Sequence, residues 1–182
     1  MRLYIIILFI LYNVCNGQSN KIPKYLHQLD QEDLDLLSEG FNYLRSRGVL
    51  NYYANIHEFH FRMAHNDPRE FFPFHGQMIE QMDHLLSSYD SRLRLPTWDL
   101  RVQPVYPEQI YYITRGWPEI RRNRPPNSRL SPFAIMRLRS IPINAPYGPF
   151  ISICSDIHND VHNFYGGSFG SARSPIDPMF WV

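Results

Sequence analysis

At 182 residues the chain is long enough for one domain with a real hydrophobic core. Its formal charge of +1 removes the electrostatic case for a nucleic-acid partner at the level of the whole chain. Aromatic residues make up 15%, which suits ring-lined walls, and eight histidines stand against two cysteines.

The first seventeen residues read as a secretory signal peptide. Arg2 supplies a positive start, and the apolar run Leu3 to Leu11 is too short to span a bilayer. Cys15 and Gly17 place small residues at the two positions that set cleavage, so the cut is expected after Gly17. No second apolar run follows, and the expectation is a secreted protein with no membrane partner. Cys15 leaves with the signal. Cys154 is then the sole thiol, no intrachain disulfide is available, and burial is favoured over pairing with another chain.

Residues 18–29 are polar, with a proline at 23, and read as an N-terminal arm. The domain proper is expected over 30–182. From Asp30, Leu34, Leu37, Phe41 and Leu44 fall at helical spacing. Acidic residues come early (Glu32, Asp33, Asp35) and arginines late (Arg45, Arg47), as the helix dipole prefers, and Gly48 is a stop. A second helix is predicted from Val49 to about Phe61. Tyr53, His57 and Phe61 share one face, with His60 close to it. His65-Asn66-Asp67-Pro68 is predicted to be a loop, because a residue before proline is steered away from helical geometry. Phe71-Phe72-Pro73-Phe74 reads as an aromatic clamp leading into a third helix. There His75, Ile79, Met82 and Leu86 form one stripe, and His84 falls on the opposite side.

Beyond Leu95-Pro96-Thr97-Trp98-Asp99 the chain is Pro-rich and irregular to Pro149. Short helical turns are predicted around Ser131 to Arg139, and the arginines from Arg115 to Arg139 read as a solvated loop surface. Ser155 is a candidate cap for a fourth helix carrying His158 and His162. There is no internal repeat, no low-complexity segment and no Asn-x-Ser/Thr site. The expected fold class is mainly α: an antiparallel helical bundle with long irregular Pro-rich loops.

The chemistry lies in the histidines. His158-Asn159-Asp160-Val161-His162 puts two imidazoles four residues apart, on one face of a helix. His57, His65 and His75 arise from helix, loop and helix within a short span. An all-imidazole set without thiolates suits copper or zinc better than calcium or magnesium.

Four blocks resemble the tyrosinases and molluscan-type haemocyanins, the type-3 copper family. They are His65 with Phe71-Phe72-Pro73-Phe74-His75, Leu95-Pro96-Thr97-Trp98-Asp99, His158 to His162 with Gly166-Gly167, and Asp177-Pro178-Met179-Phe180-Trp181. Their order and rough spacing match over about residues 30 to 182. The resemblance implies a bundle around a dicopper site. His57, His65 and His75 match the ligands of the first copper, with His60 competing with His57. His158 and His162 match two ligands of the second, and the third is expected two positions beyond Val182. Two copper ions are therefore implied, the second site being incomplete in this chain. Phe71, Phe74, Asn159 and Asn163 match residues that line or support the site.

Four departures qualify the likeness. Gly76 stands where the family has Arg, and Asp83 where it has a buttressing Glu. Met63 replaces the Cys of a thioether link. No Glu lies just upstream of His158, where Asp156 is the nearest acid. The implied activity is oxidation of phenols or catechols to quinones with dioxygen, the catechol reaction being favoured by the missing Glu. Small phenols and O2 are the expected partners. Dioxygen carriage, a half-site remnant with one copper or none, and an unrelated zinc-binding helical protein are the competing readings.

Overall fold

The computed structural model describes residues 23–182 apart from 101, 103, 104, 106, 126, 127, 142 and 143. The expected signal peptide and the first residues of the arm lie outside the described residues. Among the described residues six α-helices follow one another: α1 Gln31–Ser46, α2 Val49–Asn66, α3 Pro68–Tyr89, α4 Glu108–Ile113, α5 Pro132–Arg139 and α6 Tyr147–Tyr165. Short 3-10 turns cover Leu26–Gln28, Ser174–Ile176 and Pro178–Trp181. Among the described residues there are two isolated β-bridges and no strand. The architecture is mainly helical, as expected, with irregular segments between α3 and α6. None of the described helices is long and apolar enough to cross a membrane.

The arm is docked where it is described. Leu26 is buried, its N–H donates to the Thr97 carbonyl at 2.9 Å, and Thr97 N–H returns a bond to Lys24 at 3.0 Å.

Helix α1 starts on a reciprocal cap. The Asp30 carboxylate accepts from Asp33 N–H at 2.9 Å, and Asp33 accepts from Asp30 N–H at 3.2 Å. Leu37, Gly40, Phe41 and Leu44 turn inward. A Cβ on Gly40 would sit 2.7 Å from Leu93 Cδ1, so glycine there lets the residues after α3 close on α1. Two residues, Arg47 and Gly48, reverse the chain into α2, and Asp67 alone links α2 to α3. Such short links make each pair of neighbours run in opposite directions. Helix α2 packs on α3, α3 on α6, α5 on α6, and α1 against α2, α3 and α4.

Several predicted boundaries move. Helix α2 runs to Asn66, so His65 lies in its last turn and not in a loop. Asp67 alone breaks the helix, with extended backbone (φ −105°, ψ 109°), and its carboxylate caps α3 by accepting from Arg69 N–H at 2.9 Å. Phe71 to Phe74 belong to α3 itself, and Pro73 is tolerated inside the helix. Ser155 is not a cap: α6 begins eight residues earlier, after Pro146.

The last residues fold back on the bundle. Trp181 is fully buried, its indole N–H donates to the Pro175 carbonyl at 2.9 Å, and its ring meets Tyr53 edge-on at 5.3 Å. Asp177 is also fully buried. It caps the final turn through Met179 N–H at 3.0 Å and receives both arms of Arg122. Arg122 is thus the half-buried partner of a buried carboxylate, not part of a solvated arginine surface. Arg124 lies over the Phe164 ring, 4.8 Å from its centroid, and Arg137 pairs with Asp156 at 2.8 Å.

Candidate metal centre

Helices α2, α3 and α6 each present histidines to the space they share. His57 and His65 lie two turns apart on α2, and His75 lies near the start of α3. One nitrogen of each falls within 4.8 Å of the others. Their ring centroids are 5.0 to 5.5 Å apart. From α6, His158 approaches His65 at 5.4 Å and His75 at 5.2 Å between centroids. His162 lies one turn on, with its Nε2 3.0 Å from His158 Nε2, close enough for one proton or one cation between them. All five predicted histidines therefore meet.

Backbone carbonyls fix how most of these rings point. His65 and His75 each turn Nδ1 back to the carbonyl four residues earlier, Phe61 at 2.8 Å and Phe71 at 2.7 Å. His57 Nδ1 meets the Ala172 carbonyl at 2.6 Å, and His162 Nδ1 the Phe169 carbonyl at 2.5 Å. A carbonyl only accepts, so the proton of each neutral ring resides on Nδ1 and the Nε2 lone pair is left bare. His158 differs: its Nδ1 lies 3.3 Å from the side-chain oxygen of Asn159.

The environment keeps the rings neutral. Burial lowers His57 to about 4, helped by His65 and opposed by the Ala172 bond. Burial likewise lowers His75 to about 3 and His162 to about 4. His65 and His158 are also pushed down, chiefly by burial. At neutral pH the centre is a set of uncharged nitrogen donors. His57 Nε2 and His75 Nε2 are buried and make no hydrogen bond. A buried polar atom without a partner costs roughly 1–3 kcal/mol. Two such atoms aimed at one point are what a metal ligand set requires, and imidazole nitrogen suits copper or zinc.

The remaining predicted residues divide. Phe71 stands 4.7 Å from His75 and 4.9 Å from His158, and Phe74 stands 5.4 Å from His75 and 6.1 Å from His57. Both wall the centre. Asn159 and Asn163 are exposed on α6, and of the two Asn159 reaches an imidazole. His60 sits outside the cluster, beside Phe59 and Phe74, so the structure groups His57, not His60, with His65 and His75. Asp83 does not buttress the histidines. It accepts from Leu95 N–H at 2.7 Å and faces Arg94 at 3.6 Å. Gly76 is exposed, and a Cβ there would meet nothing within 4 Å, so no gap marks the place of the family's Arg. Asp156 turns to Arg137 instead of the centre, and Asp160 does the same at 3.5 Å. Cys154 is half-buried, and burial pushes its thiol up to about 11.

Two aromatic residues at the centre went unassigned in the sequence. Phe180 faces His57 at 5.2 Å and His75 at 6.0 Å, and Phe169 stacks on His162 at 4.0 Å. Phe180 lies inside the Asp-Pro-Met-Phe-Trp block and could have been found there. Phe169 and the accepting carbonyls carry no residue-type signal.

A helical protein with a buried cluster of neutral imidazoles defines the class: a candidate transition-metal centre of nitrogen donors. The chain is similar to a Caenorhabditis elegans protein described as tyrosinase-like (tyr-3), with 21% identity over 202 residues. The match covers 88% of this chain, and the chain spans 29% of that relative's length. No family model matches, and no solved structure matches. The likeness and the three-histidine cluster point to a tyrosinase-like protein and to copper in general terms.

Proposed function

We infer that the chain is a secreted, tyrosinase-like copper oxidoreductase that oxidises catechols, and less readily phenols, to quinones with dioxygen. One observation carries this reading: the nitrogens of His57, His65 and His75 converge within 4.8 Å, and two of them are buried without a partner. In this reading these three residues hold one copper, and His158 and His162 supply two nitrogens toward a second. Copper would supply one-electron redox chemistry and a place for dioxygen. The polypeptide's part is to hold the Nε2 of His57, His65, His75 and His162 unprotonated, keep the rings uncharged and wall the centre with Phe71, Phe74, Phe169 and Phe180. Neutral ligands support both oxidation states of copper without adding anionic charge. Catechol is favoured over phenol because Asp156 and Asp160 both face Arg137, which leaves neither to draw a proton from a phenol beside His158.

A second reading has copper on the three-histidine group alone. It is favoured by the two buried nitrogens without a partner, His57 Nε2 and His75 Nε2, which both belong to that group. Reconstitution with copper followed by a metal count per chain separates the two, and catechol turnover tests the activity. The expected result is tight copper retention that His75→Ala abolishes, with oxygen-dependent quinone formation. Wild-type protein that retains no copper after desalting sinks both readings.

A further inference from the structure

Two of the carbonyls that aim the imidazoles come from one short segment. His162 leans on Phe169 and His57 on Ala172, three residues apart. His162 belongs to α6 and His57 to α2, so the segment 166–173 touches both histidine groups at once. It is a folded turn in its own right, with Gly170 N–H on the Gly166 carbonyl at 3.0 Å and Ser171 N–H on the Ser168 carbonyl at 3.3 Å.

The segment is fastened at both ends. At its start, Gly167 has φ 62°, and a Cβ there would lie 2.1 Å from the Arg121 carbonyl oxygen. Only glycine allows both that conformation and that approach. Ser168 then secures the contact. Its N–H donates to the Arg121 carbonyl at 3.0 Å, and its hydroxyl accepts from Arg121 N–H at 2.8 Å and donates to the Glu119 carbonyl at 3.2 Å. At its end, Arg173 reaches α2. Its guanidinium donates to Asn55 at 2.5 Å, Glu58 at 3.0 Å and Asn51 at 3.4 Å, all on the helix that carries His57.

We propose that the 166–173 segment is a shared template for the two histidine groups, with Ser168 and Arg173 as positioning residues. They act through the Phe169 and Ala172 carbonyls, which set the tautomer and aim of His162 and His57. As a device for a metal centre this rests on the copper reading, but its geometry is set by the chain's own hydrogen bonds. His65 and His75 are outside its reach, because their carbonyl partners belong to their own helices. Ligand histidines elsewhere are oriented by the partner of their other nitrogen, and here one loop supplies that partner to both groups.

The test reads tautomers in the metal-free full chain by long-range 15N–1H correlation of the imidazoles at pH 7.5. In the wild type His57 and His162 are expected in the Nδ1–H form with protected Nδ1 protons. Arg173→Ala is expected to speed exchange at His57 Nδ1 by about tenfold, the factor for losing one ordinary hydrogen bond. It should also populate the other tautomer there, while His65 and His75 stay as they were. Ser168→Ala should move both His162 and His57. Arg173→Lys keeps the charge opposite Glu58 but not the fork to the asparagines, and should restore part of the wild-type signal. If alanine at 173 unfolds the chain, Arg173→Lys and Ser168→Ala carry the same test. Unchanged His57 and His162 signals in folded variants overturn the template. Cu(II) binding followed by electron paramagnetic resonance on the same samples keeps the two ideas apart. A wild type that takes up no copper refutes the copper reading and leaves the tautomer result standing.

Discussion

Replacing Asp177 by Asn isolates the ion pair that holds the C-terminal turn under the centre. Asp177 is fully buried, and the Arg122 side chain is 14% exposed. The guanidinium meets the carboxylate with both arms, also donates to Thr114 Oγ1 at 3.2 Å, and lies 5.6 Å from the centroid of the Tyr111 ring. Asn keeps the shape and one oxygen to cap Met179 N–H, so the substitution removes charge and little else. Stranding a buried charge by removing its partner costs about 3–5 kcal/mol, whereas a solvated pair is worth about 0–1 kcal/mol. For a chain of this size each kcal/mol lowers Tm by about 2–4 °C, which puts the expected loss on the order of 10 °C. Urea unfolding and thermal melts measure it directly. The double variant Arg122→Gln/Asp177→Asn, which removes both charges, should recover more than half of the loss. Because this turn carries Phe180 against His57 and His75, the ring signals of those histidines should shift in the single variant. A single variant within 1 kcal/mol of wild type would refute the claim that the pair is desolvated.

Gly76→Ala should stabilise the protein by about 0.5–1 kcal/mol, because the site is exposed, helical and open to a methyl group, and a urea midpoint that falls instead would show hidden crowding. Metal-free protein should lose stability as pH falls below 6.5. His57 and His75 stay neutral in the folded state down to about 4 and about 3, while the unfolded chain takes up protons from 6.5 downward. Below 6.5 the unfolded state binds more protons, so at pH 5.5 each ring costs about 1.4 kcal/mol, about 3 kcal/mol for the two. A flat urea midpoint between pH 7.5 and 5.5 would mean that the rings are solvated. Cys154 should react with iodoacetamide about 100-fold more slowly at pH 8 than an exposed thiol, given its rise to about 11. Labelling at the rate of a free thiol would place that residue at the surface.

The histidines were legible because their chemistry is a property of residue type, and because helical spacing puts His158 beside His162 whatever the rest of the chain does. The stripe on α1 was legible for the same reason, as were His75, Met82 and Leu86 on α3; Ile79, predicted with them, is exposed, and Met78 is buried at that turn instead. Errors gathered where a local rule was given too long a reach. Pro68 does push the residue before it out of the helix, but that restriction acts on Asp67 alone. One extended residue is enough to end α2 and cap α3, so His65 keeps its place on a helix. Ser155 met the chemical description of a cap, yet α6 had already begun after Pro146, and proline in a first turn costs little because that N–H has no partner in any case.

What could not be read belongs to pairs separated in sequence and to acceptors that every residue possesses. Arg122 and Asp177 lie 55 positions apart, and nothing in the pattern around either marks a buried ion pair. The carbonyls of Phe61, Phe71, Ala172 and Phe169 are backbone groups, identical at every position. Which of them faces an imidazole is decided by where the chain turns. Yet those carbonyls convert histidines from hydrogen-bonding side chains into bare donors, since without them each proton is free to occupy either nitrogen. The residue types therefore select the class of chemistry, and the fold selects the donor atom. That division explains why a composition-level reading reaches the imidazole cluster but not the segment that aims two of its rings.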